Sequence, residues 1–99
     1  EFLHVDDLAQ AVLFALAHTL PEHLYNVGSG TDLTIKELAL LIQKEVGHDG
    51  EIVWDASKPD GTPRKLMDVS KMNANGWKAQ IGLQEGIQKT YIWYLEKDQ

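Results

Sequence analysis

Cysteine is absent from the 99 residues, which excludes disulfides and thiolate metal sites and fits a reducing cytosol, so a cytoplasmic location is expected. Positive charge is scarce as well. Nine Lys and Arg stand against fifteen Asp and Glu, a net charge of -6, and this argues against general attraction to nucleic acid or to an anionic membrane. Any anionic ligand has to be met by a local basic cluster. No stretch reaches the ~20 apolar residues of a membrane helix, because the longest candidate, Leu8 to Leu20, is broken by Gln10, His18 and Thr19. Prolines number only three, and two of them, Pro59 and Pro63, fall in one loop.

What remains is the composition of a folded soluble domain, 43% apolar and 24% charged. A chain of this length supports one core and buries roughly 60 to 70% of its surface. It begins at Glu1 without Met or a signal-like segment, so a fragment of a longer protein is expected.

Phe2, Leu3 and Val5 form a short strand-like run, after which Asp6 or Asp7 supplies a helix cap. Leu8, Ala11, Val12, Ala15 and Leu16 follow at helical spacing until Pro21. Leu24 to Val27 reads as a second short strand, stopped by Gly28-Ser29-Gly30. Thr34 and Glu37 make a capping box for a helix whose apolar face is Ile35, Leu38, Ala39, Ile42 and Val46, closed by Gly47. Glu51 to Trp54 reads as a third strand, and residues 55–67 as a polar, irregular loop. Ser70 opens a short helical turn stopped by Gly76, and Leu83, Ile87, Thr90, Tyr91, Tyr94 and Leu95 mark a last amphipathic helix. The expected fold class is α/β, with few short strands and three main helices.

The Gly28-Ser29-Gly30 turn before a helix has the setting of a dinucleotide fingerprint, but Leu33 stands in place of the third glycine. A tight turn leading into the Thr34 cap explains it, and no cofactor is assigned there. No Tyr has the Lys four residues later that reductase chemistry uses: Tyr25, Tyr91 and Tyr94 are followed at that distance by Ser29, Leu95 and Asp98. They read as packing residues. His4 with Asp6, and His18 with His23, lack the further ligands of a metal site. His4 is expected to support the first helix junction through a hydrogen bond.

The loop Lys58-Pro59-Asp60-Gly61-Thr62-Pro63-Arg64-Lys65 holds three of the nine basic residues, including Arg64, the one arginine. The guanidinium fork of Arg64 and the mobile charge of Lys65 suit a diphosphate, and Asp60 can accept from sugar or ribose hydroxyls. The same side chains can equally pair with neighbouring carboxylates on a solvated surface. Spacing does not choose between these readings.

Glu1-Phe2-Leu3-His4-Val5-Asp6-Asp7-Leu8-Ala9, Asn26-Val27-Gly28-Ser29-Gly30, Thr34-Ile35-Lys36-Glu37-Leu38-Ala39 and Gly76-Trp77 resemble the carboxyl-terminal half of extended short-chain dehydrogenase/reductases acting on nucleotide sugars. Residues 55–65 are similar to a loop of GDP-L-fucose synthases. The resemblance covers residues 1–96. It implies conversion of GDP-4-keto-6-deoxy-D-mannose to GDP-L-fucose by epimerisation at C3 and C5 and NADPH-dependent reduction at C4. It further implies that residues 1–99 form a nucleotide-sugar-binding domain, and that the NADP-binding Rossmann domain and the catalytic residues lie ahead of Glu1, together with an arginine that helps hold nucleotide. Asp60, Arg64 and Lys65 are then the expected substrate-binding residues, with no catalytic, cofactor or metal residue in the segment. A homodimeric parent and self-association of the fragment are expected. The alternatives are another epimerase or dehydratase of UDP- or GDP-sugars, or a binding module without catalysis.

Overall fold

A computed structural model describes residues 1–61 and 63–97. Thr62 of the basic loop and Asp98, the residue four after Tyr94, lie outside the described residues. Among the described residues four helices are formed, in the order α1 (Val5–Ala17), α2 (Ile35–Val46), α3 (Ser70–Ala74) and α4 (Leu83–Lys97).

The start of α1 corrects the expected cap. His4 occupies the N-cap, with Nδ1 accepting from the Asp6 N–H at 3.0 Å, so the imidazole supports the junction as expected. Asp6 and Asp7 fall within the first turn, where negative charge complements the helix dipole. Asp7, Ala11 and Phe14 recur at helical spacing and turn toward the interior. The opposite face, with Val5, Val12, Leu13 and Leu16, is exposed, Leu16 at 79%. The helix ends at Ala17, before Pro21, and His18 folds back so that Nδ1 donates to the Phe14 carbonyl at 2.9 Å while its ring stacks on Phe14.

The capping box of α2 is complete: Thr34 accepts from the Glu37 N–H, and the Glu37 carboxylate accepts from the Thr34 N–H. Gly47 ends the helix in the left-handed region at φ 70°, which a side chain would disfavour. α2 lies against α4. At that contact the Glu45 carboxylate accepts from the amides of Gln84 and Gln88, each at 2.8 Å, the two glutamines being one turn apart on α4. These bonds, Gln88 first, hold the Glu45 carboxyl below the ordinary glutamate range.

The three expected strands do not form among the described residues. Residues 1–4, 24–27 and 51–54 are irregular, and no backbone hydrogen bond joins one to another. Apolar alternation prepares a segment for pairing, but a strand exists only when a neighbour supplies the ladder. Of the expected α/β class, the helices are therefore present and the few short strands are not formed among the described residues.

The core is small. Ala11, Met72 and Trp77 are buried, with Leu3, Phe14, Leu20, Tyr25, Val27 and Ala79 packed around them. Asp7 joins them at 2% exposure, its carboxylate accepting from the backbone N–H groups of Gln80 (3.1 Å) and Ile81 (2.9 Å). This staples α1 to the segment entering α4 and satisfies the buried charge with two donors. The molecule is broad and shallow, 49 × 37 × 17 Å. Its radius of gyration, 16.5 Å, exceeds the ~13 Å of a compact chain of this length. Its surface of 7897 Å² exceeds the ~5,700 Å² of a globular monomer of the same mass.

Candidate functional site

The basic loop is delimited by two aspartates that turn the chain. Asp55 accepts from the N–H and hydroxyl of Ser57, and Asp68 accepts from the N–H of Ser70 at 3.0 Å, where α3 begins. Both carboxyls are held below the ordinary aspartate range. For Asp55 the Ser57 hydroxyl is the main cause, and for Asp68 the Ser70 N–H.

Between these turns the loop is pinned to the Gly28–Gly30 turn. The Arg64 Nε donates to Asp32 Oδ2 at 2.7 Å. Glu1 reaches both sides: one oxygen accepts from the Gly30 N–H at 2.7 Å, the other from the Met67 N–H at 3.1 Å. Ser29 Oγ lies 3.5 Å from the first oxygen. Gly28 passes so close that a Cβ there would stand 2.8 Å from both carboxylate oxygens. On the far side Asn26 donates to the Asp68 carbonyl at 3.4 Å.

Of the residues expected from the sequence, Arg64 is thus oriented by Asp32, with its side chain 70% exposed. Asp60 and Lys65 are exposed on the same loop, as is Lys58. The carboxylate pairing weighed for the basic residues is realised at Arg64. It anchors the guanidinium at Nε while the side chain stays largely exposed.

Two clefts adjoin this region. One, about 430 Å³, has a mixed lining that includes Phe2, Ser29, Thr31, Asp32 and Gln80. The other, about 470 Å³, is mainly apolar and runs between α2 and α4 past Leu38, Ile42, Ile87 and Tyr91. Asp60, Arg64 and Lys65 line neither cleft. Asp32 links them to the first, because it belongs to that wall and holds Arg64. The arrangement can attract an anion over the loop and offer hydroxyl-binding groups in the cleft.

Glu1 and Asp32 were not among the residues expected to matter. The signal for Asp32 was its place just after the Gly-rich turn. For Glu1 the sequence carries none, since its partners lie 29 and 66 residues away. Asp7 serves as a buried staple and not as a cap. Tyr25 packs on the core and its hydroxyl accepts from the Glu22 N–H at 2.9 Å. No group of three or more His, Cys, Asp or Glu is placed to hold a metal among the described residues. No described helix is long and apolar enough to cross a membrane.

No family model matches the chain. It is 58% identical over 96 residues to a probable GDP-L-fucose synthase 1 of Oryza sativa subsp. japonica, covering 97% of this chain and 29% of that protein. It is 52% identical over 106 aligned positions to a GDP-L-fucose synthase of Escherichia coli strain K12, covering 97% of this chain and 33% of that one. Among solved structures, a GDP-mannoheptose C4 reductase of Campylobacter jejuni with NADP bound superimposes with a TM-score of 0.83 at 39% identity, over 96% of this chain and 31% of that one. The resemblance to GDP-L-fucose synthases therefore holds across nearly the whole chain, which spans about a third of the length of the curated relatives it matches.

Proposed function

We propose that the chain is the nucleotide-sugar-binding part of an NADPH-dependent enzyme that converts GDP-4-keto-6-deoxy-D-mannose to GDP-L-fucose by 3,5-epimerisation and 4-reduction. The observation that carries this is the 58% and 52% identity to GDP-L-fucose synthases over almost all of the chain. The likeness to a GDP-sugar reductase solved with NADP supports the same substrate and cofactor class. NADP is held and the chemistry performed by parts of the enzyme outside residues 1–99. The segment contributes a basic loop whose charge is opposite to that of the whole chain. Lys65 and Arg64 face the diphosphate of the GDP-sugar, and Asp60 accepts from its hydroxyls.

The test is turnover by the intact enzyme, followed as NADPH oxidation. Lys65→Ala removes a charge-assisted contact of about 1.5 to 3 kcal/mol and raises KM for the GDP-sugar by roughly 10- to 100-fold, with kcat little changed. An unchanged KM removes Lys65 from the site. A second reading, C4 reduction of a GDP-sugar without epimerisation, is favoured by the activity named for the Campylobacter jejuni structure. NMR of the product separates the two, because only the first inverts C3 and C5. The wide exposed apolar surface further leads us to propose that the isolated segment self-associates, and a clean monomer in sedimentation at high concentration contradicts this.

A further inference from the structure

We infer that Glu1 is a positioning residue for the basic loop, its carboxylate tying the carboxyl end of the loop at Met67 to the Gly28–Gly30 turn. The inference rests on the reading of that loop as the diphosphate-binding element. The loop has few other anchors. Arg64 is pinned to Asp32, but every described loop residue from Ser57 to Asp68 is exposed, so packing contributes little to its placement. Glu1 is half-buried and spends both oxygens on backbone N–H groups far apart in sequence. A carboxylate accepting from the backbone makes charge-assisted bonds, stronger than neutral ones. Met67 lies two residues beyond Lys65. Fixing its N–H therefore limits how far the ammonium of Lys65 can stray.

Gly28 supplies an independent handle. Its backbone is not among the left-handed glycines, so alanine is compatible with its conformation. An alanine Cβ would nevertheless meet the Glu1 carboxylate at 2.8 Å and displace the far end of a flexible side chain. Glu1→Ala and Gly28→Ala thus release the same contact by different means.

In the intact enzyme each variant is expected to raise KM for the GDP-sugar about tenfold, the loss of one charge-assisted anchor, with kcat within about twofold. In a Lys65→Ala background the further rise is expected to fall below about threefold, because a loop that has lost its contact gains little from being positioned. Trypsin cleavage after Arg64 and Lys65 reports anchoring without reference to substrate, and both variants should accelerate it severalfold while helical circular dichroism is unchanged. If Glu1→Ala does not fold, Glu1→Gln, which keeps the length and one acceptor, takes its place. Unaltered cleavage in the variants overturns the inference. So does a KM effect fully additive with Lys65→Ala, or a fall in kcat at constant KM. Accelerated cleavage together with an unchanged KM in Lys65→Ala would instead overturn the reading of the loop and leave Glu1 as its anchor.

Discussion

The carboxylates of Asp7 and Glu1 each accept two backbone N–H groups from distant parts of the chain, yet their surroundings differ. Asp7 is buried beside Ala11, Met72 and Trp77, whereas Glu1 is half-buried beside a loop whose described residues are exposed. Around Asp7 water cannot replace a lost bond, so the staple and the small core depend on one another. Around Glu1 water can compete, and the bond specifies a position more than it stabilises a fold. The molecule thus has a part that holds its shape by burial and a part that is placed by a few polar contacts.

The largest effect is expected at Met72. Met72→Ala empties the most deeply buried side chain, 1% exposed, and is expected to destabilise the 99-residue chain by about 3 kcal/mol, read as a lower urea midpoint. A loss below about 1 kcal/mol would show that this core does not hold the helices together. Asp7→Asn comes next, at about 2 kcal/mol. The amide keeps one acceptor but turns an N–H₂ toward a backbone donor, leaving one buried N–H of Gln80 or Ile81 unmatched. Faster hydrogen exchange at those two amides localises the effect, and unchanged exchange would contradict the staple.

The smallest effect is a pH response confined to the loop. Asp55 and Asp68 have carboxyls held low by Ser57 and Ser70. The stability they add is present above the ordinary aspartate value and is lost as pH falls through their lowered values in the folded chain. Acidification below the aspartate range should therefore loosen both ends of residues 55–68. NMR titration of the Ser57 and Ser70 amide signals checks this: their midpoints should lie below the ordinary aspartate value, and midpoints at or above it would remove these two turns as determinants of the loop.

Much of the helical framework was legible in the residues. Thr34 with Glu37, and Gly47 twelve residues after Ile35, delimit α2 through bonds that span three or four positions. Ser70, Leu83 and the apolar spacing after it locate α3 and α4 in the same way. The first helix was harder. His4 took the cap that Asp6 or Asp7 was expected to fill, since an imidazole in the right rotamer offers the same acceptor, and Asp7 was drawn inward by donors 73 and 74 residues away. The loop's basic character and its resemblance to GDP-L-fucose synthases were likewise visible in its residues. Its anchoring at Asp32 and Glu1 was not.

The helices, the caps of α2, the acidic balance and the concentration of basic residues between Lys58 and Lys65 follow from the residues alone, because each depends on neighbours within a few positions or on composition. Only the tertiary structure decided that residues 1–4, 24–27 and 51–54 stay unpaired, that Asp7 is buried, and that Glu1 and Asp32 hold the loop. Those outcomes depend on which distant backbone groups come within hydrogen-bond reach, and local periodicity carries no record of that distance.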